Sequence, residues 1–185
     1  MPRVRTTETA DRIRAVAMEL IAEKGVAQVS LREIAERVGI SKPALYYHFA
    51  SREDLVRSLF QPLVDDVSAL LDDFESGRWP GKVTDRRAVL GAYFDVTYAH
   101  RDITKMVMQD PSVLAELNLA AAVTDWGRRL TTLLFGPAPT LAQQARARVA
   151  VGGLGDCTVM FTDVPKDELK TAVLDAVCAT LGQAP

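Results

Sequence analysis

Histidine and cysteine are scarce in this chain, with two of each in 185 residues. Neither histidine falls in a Ser-His-Asp or metal-ligand pattern, so no nucleophile or metal site can be assembled by motif. No catalytic residue, metal or cofactor is expected, and the chain reads as a non-enzyme. Cys157 and Cys178 match no metal or redox spacing and are expected to be reduced core residues of a cytoplasmic protein. Long apolar runs are also missing. The longest charge-free stretch, Leu130 to Ala145, is interrupted by Gly136-Pro137-Ala138-Pro139, so no membrane span or membrane partner is expected. The start Met-Pro-Arg-Val-Arg carries no apolar core of a secretory signal. Sustained alternation of apolar and polar residues with hairpin turns is absent too, which leaves an all-α fold.

What is present is ordinary for a soluble folded protein: 48% hydrophobic and 25% charged residues. The length suits one large domain or two small ones. Helical periodicity predicts about nine helices. Ile13, Val16, Ala17, Leu20 and Ile21 share one face of the first, and Gly25 ends it. Ser30-Leu31-Arg32-Glu33 reads as a capping box at the start of a second, which buries Leu31, Ile34, Ala35 and Val38 and stops at Gly39. Ser41 caps a third with Pro43 in its first turn. Ser51-Arg52-Glu53-Asp54 caps a long fourth helix, whose stripe of Leu55, Leu59, Leu63, Val67, Leu70, Leu71 and Phe74 runs toward Gly77. Further helices are expected over about 85–100, 103–109, 112–134, 140–161 and 166–181. The expected domains are 7–67 and 68–185.

Two short helices about a tight turn at Gly39 have the layout of a helix-turn-helix unit, spanning about residues 30–49. Such a unit braces its second helix so that the exposed N-terminal half enters the major groove of DNA. Lys42 can donate to guanine, Ala44 can touch a thymine methyl, and Tyr46, Tyr47 and His48 can reach bases or phosphates. Ser30, Arg32 and Arg52 sit at helix starts, where amides and the macrodipole favour a phosphate, and Arg3 and Arg5 form a basic arm. The plainer alternative is a packed helical corner. It is weak here because Tyr46, Tyr47 and His48 are consecutive, point about 100° apart, and cannot all face one core.

The run Val38-Gly39-Ile40-Ser41-Lys42-Pro43-Ala44-Leu45-Tyr46-Tyr47-His48-Phe49 through Leu55 resembles the recognition segment of the TetR family of bacterial transcriptional regulators. The likeness extends upstream through Ile13 to Gly25 and covers about residues 7–67. It implies a homodimer that binds a palindromic double-stranded operator and represses until a small-molecule effector enters the C-terminal domain. By position, Lys42, Pro43, Ala44 and Tyr46 fall where the family reads bases. Tyr47, His48 and Arg52 fall where it holds phosphates, with Arg52 replacing the commoner lysine. Charge is divided accordingly. Residues 1–57 hold ten Lys+Arg against eight Asp+Glu, 10 − 8 = +2, so the overall −2 leaves −4 for the rest.

The same resemblance implies an effector pocket among the helices from about 85 to 135 and a dimer interface in the last two. Aromatic and methionine side chains make Tyr93, Phe94, Tyr98, His100, Met106, Met108, Trp126, Met160 and Phe161 candidates for a largely apolar pocket, with core packing as the alternative. Asp156 suits either a cationic effector or a pair across the dimer. Gly152, Gly153 and Gly155 suit close backbone approach at the interface, with Val173 and Val177 beside them; no phosphate-loop spacing is met. Alternative functions are a helical small-molecule-binding protein or enzyme with a vestigial helix-turn-helix, or a regulator that activates.

Overall fold

The computed structural model describes residues 3–182, with side chains from Thr7 onward. Ten α-helices and one short 3-10 turn at Val26–Gln28 are found among them, and no strand. In order the helices are α1 (Arg3–Lys24), α2 (Leu31–Val38), α3 (Lys42–His48), α4 (Arg52–Ser76), α5 (Arg86–Ala99), α6 (Arg101–Gln109), α7 (Ser112–Glu116), α8 (Ala120–Phe135), α9 (Leu141–Met160) and α10 (Lys166–Thr180). The tenth arises because the helix expected over 112–134 is broken. Asn118 adopts a left-handed φ of 58°, and Leu119 N–H donates to Leu114 C=O at 2.7 Å while Asn118 N–H donates to Ala115 C=O. That pair of bonds closes a helix end, and asparagine tolerates the conformation because its short side chain is polar.

Packing divides the chain into two units. One holds the residues up to Pro62 together with Met106–Leu119; the other holds Leu63–Lys105 and the residues from Ala120 on. The expected division at 67/68 therefore shifts, and Met106–Leu119 leaves the C-terminal part. Its apolar residues Met106, Val113 and Leu117 are buried.

In the first unit α1 buries Ile13, Ala17, Leu20 and Ile21 at helical spacing, and α2 buries Leu31, Ile34, Ala35 and Val38. Gly39 turns the chain between α2 and α3. At φ 78° and ψ 35° it is left-handed, and its N–H and that of Ile40 both reach Ala35 C=O at 3.0 Å. A Cβ there meets no neighbour within 4 Å, so the requirement for glycine is conformational. Gly39→Ala is expected to cost about 1–2 kcal/mol, measured by chemical denaturation; an unchanged midpoint would show that the turn bears no strain.

The second unit has two buried clusters. Leu90, Phe94, Leu134, Ala147, Ala150, Leu154, Leu169, Val173, Leu174 and Val177 join α5, α8, α9 and α10. Val67, Leu71, Phe74, Val89, Trp126 and Leu130 join the second half of α4 to α5 and α8. Trp126 Nε1 donates to Ser68 Oγ at 3.3 Å, and Trp79 packs edge-on against Phe74 with centroids 4.9 Å apart. Arg129 lies between Asp72 and Glu75, tying α8 to α4. Asp95 on α5 accepts from Lys166 and Lys170 of α10; burial works against its charge, but the two ammonium groups outweigh that and keep its pKa low.

Candidate nucleic-acid interface

Helix α3 is seven residues long and buries only Leu45, with Phe49 buried just beyond it. Ser41 starts it by accepting from Ala44 N–H at 3.3 Å, and Pro43 occupies the first turn without loss of a hydrogen bond. Leu45 is fully buried, which turns the other faces outward. Lys42 and Pro43 are exposed and Ala44 is half-buried. Tyr46 is 44% and Tyr47 77% exposed, while His48 is half-buried. A packed corner would have covered these rings. The Lys42 ammonium lies 5.7 Å from the centre of the Tyr46 ring, so the cation and the ring share one face. Tyr47 and His48 meet edge to face at 5.4 Å.

The frame beneath α3 rests on arginines whose long-range partners carry no local sequence signal. Arg12 of α1 donates to Val38 C=O at 2.9 Å, satisfying the C-terminal end of α2. Arg14 donates to Ser58 Oγ at 3.2 Å and places its guanidinium 5.4 Å from the Phe49 ring. Arg52 differs from its expected role. Its Nε donates to Val29 C=O at 3.0 Å and its Nη2 to Val26 C=O, so the side chain fastens the start of α4 to the segment before α2. Two of its donors are thereby withdrawn from phosphate. Arg52→Met is expected to lower the melting temperature, by about 2 kcal/mol of stability for two charge-assisted bonds lost; thermal denaturation checks this.

Other expected residues are also partly occupied. Ser30 accepts from Glu33 N–H at 3.3 Å, but the Glu33 carboxylate pairs with Lys24, so only half of the expected capping box forms. Arg32 is exposed and paired with Glu36 one turn on at 2.8 Å. Arg3 and Arg5 lie outside the residues whose side chains are described.

Residues 13–59 match the sequence profile described as "Bacterial regulatory proteins, tetR family". The match covers the second half of α1, then α2, α3 and the start of α4. Over these residues the chain is similar to the TetR family.

The HTH-type transcriptional repressor KstR2 of Rhodococcus jostii (strain RHA1) is 28% identical over 52% of this chain and 45% of its own. The activator FasR of Mycolicibacterium smegmatis is 30% identical over 59% of this chain and 52% of its own. The chain spans about a third to a half of the curated relatives it matches. The fold extends further than the sequence likeness. A transcriptional regulator from Aquifex aeolicus VF5 superimposes with a TM-score of 0.72 at 22% identity, over 92% of this chain and 98% of that one.

Beyond the matched residues, the ten pocket candidates do not come together as one site. Phe94 and Trp126 are buried in the two clusters of the second unit. Burial pushes the Tyr93 phenol up to about 12, with the Arg148 guanidinium pulling the other way. Tyr98 stacks on Phe94 and has Arg101 and Lys166 over its ring. His100 Nε2 lies 2.7 Å from Asp66 Oδ2, linking α4 to the end of α5. Met106 and Met108 belong to the first unit, not to that of the others. Asp156, Met160 and Phe161 stand on open surface, the last two 68% and 51% exposed. A groove of about 690 Å³ between α8 and α9 is lined by other residues, among them Thr124, Arg128, Thr131, Gln144 and Arg148.

The interface candidates separate in a similar way. A Cβ built at Gly152, Gly153 or Gly155 meets nothing within 4 Å, so these positions leave room beside α9. Val173 and Val177 instead face inward, 5% and 6% exposed in the cluster with Leu90 and Phe94. Their side of α10 is already covered by its own chain. No helix among the described residues is long and apolar enough to cross a membrane, and no cluster of His, Cys, Asp or Glu there could hold a metal.

Proposed function

We propose that the chain is a transcriptional regulator that binds double-stranded operator DNA as a homodimer, each copy presenting α3 to a major groove. The observation that carries this is the exposed Lys42–Tyr46–Tyr47 face of a short helix anchored by Leu45. Lys42 and Tyr46 read bases with Pro43 and Ala44. Tyr47, His48, Ser30 and Arg32 hold phosphates, with the basic residues Arg3 and Arg5 reaching the same backbone. The +2 balance of residues 1–57 concentrates positive charge in the part that meets the polyanion. Repression relieved by a small, largely apolar effector is the reading favoured by the likeness to KstR2, a repressor, while the likeness to FasR, an activator, marks the other sign. The effector would bind in the second unit. Dimerisation would use the outer faces of α9 and α10, where small residues such as Gly152, Ala172, Ala176 and Ala179 are exposed. Cytoplasmic residence follows from this role.

The test is a gel-shift titration on the DNA upstream of the chain's own gene at physiological salt. Lys42→Ala and Tyr46→Ala should each cost about 1–3 kcal/mol and relax one operator position, whereas Tyr47→Ala should weaken all sequences alike. No specific complex, or one indifferent to Lys42 and Tyr46, would sink the reading.

A further inference from the structure

Among the described residues seven large apolar side chains are exposed, and four of them belong to α9 or its end: Leu141, Val149, Met160 and Phe161. Opposite the buried Ala147, Ala150, Leu154 and Thr158, the outer face of α9 carries Leu141, Ala145, Val149, Gly152, Asp156 and Met160. Two charges flank its midpoint symmetrically. Arg148 stands four residues before Gly152 and Asp156 four residues after it, one turn of about 6 Å in each direction. Arg148 is exposed beside Gly127 of α8 and has no carboxylate partner among the described residues. Asp156 is likewise without an ion pair there; burial, and then the Asp156 charge, raise the pKa of the Cys157 thiol.

Resting on the dimer reading above, we infer that two copies of α9 cross antiparallel with their two-fold axis at Gly152, and that the register is set by reciprocal ion pairs between Arg148 and Asp156 of the partner subunit. A two-fold axis makes every contact occur twice, so a helix bearing opposite charges at equal distances from its centre complements itself only when antiparallel. The same register sets Val149, 63% exposed, opposite the partner subunit's Gly155, a large side chain against a position with no side chain. Gly152 meets its own symmetry mate, where the missing Cβ lets the two backbones approach. A shift by one turn in either direction would take each Arg148 away from its carboxylate. The occupant is thus a second copy of this chain, chosen by charge as well as by apolar area.

The experiment is sedimentation equilibrium on the full chain. Arg148→Asp and Asp156→Arg should each raise the dimer dissociation constant about tenfold or more, because each sets like charges face to face twice. The double swap should return it to within about threefold of wild type. Both positions are exposed, so the helical circular dichroism should stay as in wild type. Independently, Gly152→Cys should form a disulfide-linked dimer under a mild thiol oxidant. Ala145→Cys should not, since its symmetry mates would lie roughly 20 Å apart. A wild-type dimer indifferent to the single charge reversals, or a double swap as weak as the singles, overturns the register and leaves the dimer standing. Cross-linking through Ala145→Cys in place of Gly152→Cys does the same. A wild type that stays monomeric overturns the dimer reading as well.

Discussion

Phe94→Ala is expected to remove about 3–5 kcal/mol of stability from the second unit, the usual range for a buried aromatic truncated to alanine. The ring is fully buried in the cluster with Leu90, Leu134, Leu154, Leu174 and Val177 and stacks on Tyr98 at 5.6 Å. Three different helices contribute those neighbours besides α5 itself, so none can close the cavity without moving against the others. Domains of this kind are stable by roughly 5–15 kcal/mol, and a loss of this size consumes a large part of that. Thermal unfolding in the absence of any small molecule is the measurement. It separates a core side chain from a pocket wall, because removing a wall residue from an empty pocket leaves the transition nearly in place. A melting temperature within a few degrees of wild type would return Phe94 to the pocket candidates. Phe94→Leu, which restores most of the volume, should recover much of the loss.

The second large effect is expected at Leu45. Leu45→Ala should cost about 2–5 kcal/mol and should also abolish specific DNA binding. A seven-residue helix has little stability of its own in water. Its position depends on Leu45 and on Phe49, whose ring lies against Arg14. With Leu45 truncated, Lys42, Tyr46 and Tyr47 are still present but are no longer held at fixed separations. Non-specific attraction to the phosphate backbone should persist, since it depends on charge more than on placement. Chemical denaturation together with a competition gel shift against random DNA would show both halves. A variant within about 1 kcal/mol of wild type would mean that α3 is held by something other than its one buried leucine.

The first unit was more legible in the sequence than the second, and the reason is local. Ser41, Pro43 and Gly39 act on amides within a few residues of themselves, so their meaning survives without knowledge of the fold. The anchoring of Arg52 was not legible because its carbonyl partners, Val26 and Val29, lie more than twenty residues upstream. Glu33 misled for a similar reason, its carboxylate being taken by Lys24 in place of the local amide. The break at Asn118 depends on a single left-handed residue inside an otherwise helical run, which periodicity does not register. In the second unit an aromatic lining a cavity and one filling a core look alike in sequence, and Phe94 and Trp126 proved to be core. Val173 and Val177 were assigned to the wrong face of α10 because apolar residues seek burial first. The face left outside carries Thr171, Ala172, Ala176, Ala179 and Thr180 beside charged residues such as Asp175, and small residues of that kind are not marked by hydrophobicity.

Trp79 and Trp126 are the only tryptophans in the chain, and both lie in the second unit, Trp79 against Phe74 and Trp126 hydrogen-bonded to Ser68. The reading helix carries tyrosines alone. Light at the red edge of protein absorption is therefore absorbed by the second unit only, and its emission is blind to the first. Backbone dichroism sums over both. Comparing the two signals during unfolding would show whether the reader and the remainder of the molecule melt together, with no label attached to either.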